Sequence, residues 1–290
     1  MKDNLQTILV TGANGQLGNE LKVIASLYTG YQFLFFTKEE LALENFDAVR
    51  NYFAAHAIDY CINCAAYTAV DNAELDKENA ILINAVAAGN LAKVCNQYHV
   101  QFIHISTDYV FDGMAKHPYK ETDQTCPANI YGESKLMGEE LSLQNNPSAI
   151  IIRTSWLYSS YKNNFVKTMV RLMKEKDSIN VVNDQFGSPT YAADLAVVIM
   201  QIISSGKSKD HPGIYHYTNS GITNWYEFAL TIKKIYGNAC IINPVITAQY
   251  PTAAKRPGYS VMDTTKIQKT FNILIPEWRD SLQHCLSLLK

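Results

Sequence analysis

Thr7-Ile8-Leu9-Val10-Thr11-Gly12-Ala13-Asn14-Gly15-Gln16-Leu17-Gly18 is the stretch that decides the fold. Ile8–Val10 is an apolar run of strand length, glycines follow at 12, 15 and 18, and a helical pattern continues over 17–28. A strand that turns this sharply into a helix gathers free backbone N–H groups and the positive end of the helix dipole at one point. Missing Cβ atoms then let the backbone close on a pyrophosphate. Such a glycine run alone also suits a plain tight turn. At the first strand of an α/β chain it reads as a dinucleotide turn, with Gly12, Asn14, Gly15, Gln16, Leu17 and Gly18 against the cofactor.

Outward from this turn, strands are expected at 8–10, 33–36, 61–63, 102–106 and 149–153, separated by helices near 17–28, 46–55, 75–97 and 131–144. The strands are continuously apolar, the pattern of a sheet covered on both faces. The expected fold is α/β: a Rossmann-type doubly wound parallel sheet over 1–155. After about residue 155 Tyr, Asn, Pro and Gly become frequent, while helical patterns persist near 163–175, 190–204, 224–236 and 278–288. Residues 156–290 are expected to form mainly a smaller substrate-binding lobe, with later segments returning to the first and a cleft between the two. Cofactor choice is read where the second strand ends, Phe36-Thr37-Lys38-Glu39-Glu40. Lys38 there would meet a 2′-phosphate, whereas Glu39 and Glu40 speak for a free ribose, so NADPH and NADH both stay open.

Composition removes several function classes. The chain has 290 residues, 25 Lys and Arg against 27 Asp and Glu, and a formal charge of −2, which offers no electrostatic pull toward nucleic acid or an anionic membrane. The longest apolar run, near 195–203, falls short of the roughly 20 residues that span a bilayer. Met1-Lys2-Asp3-Asn4 leads straight into the first strand without a signal-peptide pattern, so a cytoplasmic location is expected. Cys61-Ile62-Asn63-Cys64 has the spacing of a metal or redox pair, but on a strand residues 61 and 64 face opposite sides, and both read as structural thiols. The seven histidines include no His-x-x-x-His pair, which argues against a zinc enzyme.

Two further tracts carry chemistry. Tyr131-Gly132-Glu133-Ser134-Lys135 opens a helix with Tyr131 and Lys135 at i and i+4, on one face. A free phenol titrates near 10, and an ammonium beside it is expected to lower that value toward usable acid catalysis. The fourth strand ends Ile103-His104-Ile105-Ser106-Thr107-Asp108-Tyr109, and the third runs into Asn63-Cys64-Ala65-Ala66-Tyr67, at the sheet edge where open α/β folds bind ligands.

A glycine turn, a strand-end Thr and a Tyr-x-x-x-Lys helix in this order resemble the extended short-chain dehydrogenase/reductases. Within that family the chain resembles the dTDP-4-dehydrorhamnose reductases. The tracts are Ser106-Thr107-Asp108-Tyr109-Val110-Phe111, Tyr131 to Leu136, Arg153-Thr154-Ser155-Trp156-Leu157-Tyr158, Asn163-Asn164-Phe165, Asn183 to Thr190, and Tyr250 to Pro257. The resemblance implies hydride reduction of the C4 ketone of dTDP-4-dehydro-β-L-rhamnose by a nicotinamide cofactor. By it Tyr131 donates the proton, Thr107 binds the carbonyl oxygen, and Lys135 holds the nicotinamide ribose. Ser106, Ala65, Ala66 and Tyr67 join the cofactor site. Trp156 lies against the sugar, Arg256 clamps the diphosphate, and Val70, Asp108, Tyr109 and Gln185 wall the substrate pocket.

Dehydratases of the family carry an Asp-Glu pair after the Thr, whereas Asp108 is followed here by Tyr109. The alternatives are a related nucleotide-sugar epimerase or reductase, and a non-catalytic subunit resembling the regulatory subunit of methionine adenosyltransferase. Ala42 replaces an Asp common near the adenine, and Gly258 and Tyr259 depart from the usual continuation after Arg-Pro. Some members dimerise through magnesium held by interface carboxylates. Glu20 matches one such place, while the partner position reads Ala193 with Asp194 beside it, so no metal residue is assigned and both monomer and homodimer stay open.

Overall fold

The computed structural model describes residues 5–289; Met1-Lys2-Asp3-Asn4, read above for a leader segment, lie outside them. Six strands form one parallel sheet: β1 (Gln6–Thr11), β2 (Tyr31–Phe36), β3 (Tyr60–Asn63), β4 (Gln101–Thr107), β5 (Ile150–Thr154) and β6 (Gly213–His216). Their order is β6-β5-β4-β3-β1-β2. The direction of winding reverses between β1 and β3, and in such sheets a ligand crevice opens at that point, beyond the carboxyl ends of the strands.

Continuous apolar strands feed both faces alternately. Ile8, Val10, Ile62, Ile103, Ile150 and Ile152 face one core, closed by helices Gln16–Ile24 and Ala192–Ser204. Leu9, Cys61, Phe102 and Ile151 face the other, closed by helices Phe46–Ala55 and Ala88–Gln97. Cys61 and Cys64 pack against opposite faces, each as a free thiol, as the strand period requires.

The later part of the chain contributes to both bodies. β6 extends the sheet beside β5, and helix Ala192–Ser204 covers one of its faces. A separate core gathers helices Phe165–Glu175, Trp225–Tyr236 and Trp278–Ser287 on the parallel pair Ser178–Val182 and Ile241–Val245. Trp278 is fully enclosed in it. Among the described residues no helix is long and apolar enough to cross a membrane.

Candidate active site

A cleft of about 890 Å³ opens over the reversal point and receives side chains from both bodies. One end is the turn after β1. Gly12 has φ +64°, and a Cβ there would stand 2.6 Å from the Ala65 nitrogen; one on Gly18 would stand 2.5 Å from the Gly12 carbonyl oxygen. Backbone therefore packs on backbone, which only glycine permits. Gly15 is the N-cap of helix Gln16–Ile24 and sets no side chain against its first N–H groups. Gly12, Asn14, Gly15, Gln16, Leu17 and Gly18 all line the cleft, the cradle that a dinucleotide pyrophosphate needs. Lys38 lies at the same end, its amine 2.9 Å from Glu44 Oε1.

Ala65, Ala66 and Tyr67 form the wall beyond β3. Asn84 fixes it: its side-chain oxygen accepts from the Tyr67 N–H at 2.8 Å, and its nitrogen donates to the Tyr67 carbonyl and to Ser134 Oγ, each at 3.0 Å. Asn84 sits in a π-helical turn, Leu82–Ala87, which the 75–97 helical pattern does not reveal.

The floor is built from β4 and helix Ile130–Asn145. Ser106, Thr107, Asp108 and Tyr109 line the cleft where β4 ends, together with Val70. Thr107 Oγ1 donates to Asp108 Oδ1 at 3.0 Å and accepts from the Tyr109 N–H at 3.3 Å. Burial pushes the Asp108 carboxyl up to about 6 against the pull of hydrogen bonds from Ser260 and Thr107. The helix starts at Asn129, whose side chain accepts from the Gly132 N–H at 2.8 Å. At Gly132 a Cβ would collide with the Tyr109 carbonyl oxygen, so the helix start lies flush on the turn after β4. Tyr131 and Lys135 thereby reach the same cleft as Thr107.

The electrostatics of this pair correct the expectation from spacing. Burial raises the Tyr131 phenol to about 12; the Thr107 hydroxyl opposes the rise and the Asp108 carboxylate adds to it. The Lys135 amine donates to the Ile105 carbonyl at 2.6 Å and is not among the groups that shift the phenol. Burial brings the lysine itself down to about 8, with Glu139 and Cys64 pulling it back up. Behind it, Glu139 accepts from Ser106 Oγ at 2.5 Å and holds Arg153 through two bonds of 2.9 and 2.6 Å.

Trp156 lines the cleft with φ +48°, a left-handed conformation that a bulky residue adopts only under constraint. Its ring stacks on Trp225 with centroids 3.6 Å apart and covers Gly187, where a Cβ would come within 2.6 Å of the indole. The structure does not bring Gln185 or Arg256 to the cleft wall. Gln185 Nε2 donates to Thr247 Oγ1 at 3.0 Å, and Arg256 is paired with Asp71 Oδ2 at 2.6 Å, near Tyr109. Asn84, Glu139 and Trp225 are the supporting residues that sequence reading missed. Glu139, four residues past Lys135 on the same helical face, carried a usable signal.

The carboxylates compared with a magnesium site are engaged within the chain. Glu20 is buried and accepts from Ser159 Oγ at 2.6 Å, while Asp194 Oδ2 accepts from Asn219 and Ser281.

The RmlD substrate binding domain family model matches residues 6–290. The chain belongs to that family. A dTDP-4-dehydrorhamnose reductase of Aggregatibacter actinomycetemcomitans is 42% identical over 286 residues, covering 96% of this chain and 97% of that protein. Among solved structures, the dTDP-4-dehydrorhamnose reductase of Clostridium acetobutylicum matches with a TM-score of 0.92 at 40% identity, over 98% of this chain and 99% of that one. That of Bacillus anthracis, in complex with NADP, gives 0.93 at 38% identity over the same shares. The doubly wound parallel sheet expected from the sequence is the fold of this RmlD-family chain.

Proposed function

We propose that the chain reduces the C4 ketone of dTDP-4-dehydro-β-L-rhamnose to dTDP-β-L-rhamnose, using NADPH or NADH. The observation that carries this reading is one cleft with the glycine turn at one end and Thr107, Tyr131 and Lys135 on its floor. Full-length similarity to dTDP-4-dehydrorhamnose reductases supports the choice of substrate.

A nicotinamide held in the cleft would supply the hydride for C4. Thr107 hydrogen-bonds the carbonyl oxygen as negative charge develops, and Tyr131 gives that oxygen its proton. A phenol held at about 12 keeps its proton throughout the neutral range. In that form it is a proton donor to the C4 oxygen as hydride arrives. Lys135 holds the nicotinamide ribose, and Trp156, its ring fixed between Trp225 and Gly187, lines the cleft beside the sugar. Ser106, Ala65, Ala66 and Tyr67 complete the cofactor wall, while Val70, Asp108 and Tyr109 shape the sugar pocket. Lys38 at this end supports a 2′-phosphate, and Glu44, 2.9 Å from its amine, supports a free ribose.

Incubating the purified protein with NADPH and the dTDP-ketosugar, with the product identified by NMR, tests the reading. Oxidation of NADPH with formation of dTDP-rhamnose is expected. Cofactor binding without oxidation would favour a non-catalytic binding role.

Arg256 enters this reading as a clamp that exchanges Asp71 for the substrate diphosphate. Arg256→Ala is then expected to raise KM for the sugar nucleotide roughly tenfold or more, the size of one charge-assisted hydrogen bond, without a matching change for NADPH. Equal effects on both would place Arg256 outside the diphosphate site.

A further inference from the structure

Thr11, Asn63 and His104 occupy one register row across β1, β3 and β4, and all three are buried. Asn63 Oδ1 accepts from Thr11 Oγ1 at 2.7 Å and from the Ala65 N–H at 3.2 Å. A backbone N–H can only donate, so this fixes which end of the Asn63 amide is the oxygen. Asn63 Nδ2 therefore donates along the row to His104 Nδ1, 2.9 Å away. Burial, aided by the charge of Lys135, holds His104 well below the usual histidine range, so its ring is neutral and carries one N–H. With Nδ1 accepting, that proton sits on Nε2. Nε2 lies 3.4 Å from Lys135 Nζ.

We propose that His104 is a positioning residue for Lys135, presenting Nε2–H to the lysine nitrogen and favouring the neutral amine over the ammonium. An ammonium would set its own hydrogens against that N–H. The imidazole cannot offer its other nitrogen without breaking the Asn63 bond, and Asn63 cannot turn over without losing both of its donors. The groups facing Lys135 divide cleanly. The Ile105 carbonyl on β4, Glu139 one helical turn onward and Cys64 after β3 favour the ammonium. Burial and His104 oppose it. The balance brings the lysine down to about 8, beside a phenol that must regain its proton after each turnover. This last consequence rests on the reading of Tyr131 and Lys135 given above; the His104 geometry does not.

Long-range ¹H–¹⁵N NMR of the imidazole in the unmodified protein tests the geometry directly. The neutral Nε2–H tautomer is expected at neutral pH, and an Nδ1–H tautomer or a doubly protonated ring would overturn the proposal. Titration of the Lys135 side chain by NMR then reads the coupling. His104→Leu should raise the lysine midpoint by roughly half to one pH unit, the weight of one hydrogen bond, whereas His104→Gln, which keeps an N–H, should leave it in place. An unmoved midpoint in both variants would refute the coupling. A Leu variant that fails to fold leaves the tautomer and the Gln titration to decide. None of these signals needs turnover, so an inactive protein with the Nε2–H tautomer would refute the reductase reading and leave this one standing.

Discussion

Tyr131→Phe is expected to lower kcat for the ketosugar by about 10² to 10⁴-fold, the usual span for loss of a positioned general acid, with NADPH affinity unchanged. The substitution removes one oxygen and little else. The ring stays wedged edge-on to Tyr109, with centroids 5.6 Å apart, and the helix start is held independently by Asn129 and by the close approach at Gly132. On the proposed mechanism Thr107 still binds the carbonyl oxygen, so residual catalysis should persist. Steady-state kinetics together with a fluorescence titration of NADPH separate the two effects. The pH dependence adds a second check. Because the phenol is held at about 12, the native donor keeps its proton well past neutrality, and no loss of its proton should limit the rate near pH 7. Near-normal turnover in the Phe variant would remove Tyr131 from the acid role.

Residue pattern carried the frame of this fold because the frame depends on periodicity and local turns. Ile8 and Val10 against Leu9, or Ile150 and Ile152 against Ile151, announce two covered faces without any knowledge of what covers them. β6 escaped because Gly213-Ile214-Tyr215-His216 is four residues long, begins with glycine and ends in a buried histidine. The site divides in the same way. Glycine spacing and the i, i+4 rule locate the turn and the Tyr131–Lys135 face, which are local facts. Which acceptor the Lys135 amine takes, and how much water the phenol loses, depends on β4 packing beneath the helix, and no spacing encodes that. Hence the face was legible and the direction of the phenol's shift was not. Arg256 illustrates the same boundary: its charge is plain in the sequence, but its partner Asp71 lies 185 residues away.

Glu139→Ala is expected to destabilise the fold by about 3–5 kcal/mol, because it strands a buried guanidinium. Arg153 and Glu139 are each only 2% exposed at the side chain, so water cannot replace the lost partner. The remaining neighbours of Arg153 offer no charge in return. Its guanidinium lies over the Phe111 ring at 5.1 Å, and Nη1 donates to His216 Nε2 at 3.4 Å while His216 Nδ1 donates to the Tyr119 carbonyl. Burial and the guanidinium hold His216 down at about 3, against an ordinary 6.5. The unfolded chain therefore takes up a proton that the folded chain refuses, and stability should fall as pH drops from about 6.5 toward 3. Urea unfolding is expected to show a lower midpoint for Glu139→Ala with an unchanged slope. Glu139→Leu combined with Arg153→Met should recover most of the loss, since apolar groups of similar volume can replace a buried pair. If the double variant were as weak as the single one, the loss would come from polar groups stranded in both, the Ser106 hydroxyl first, with the unpaired charge contributing little.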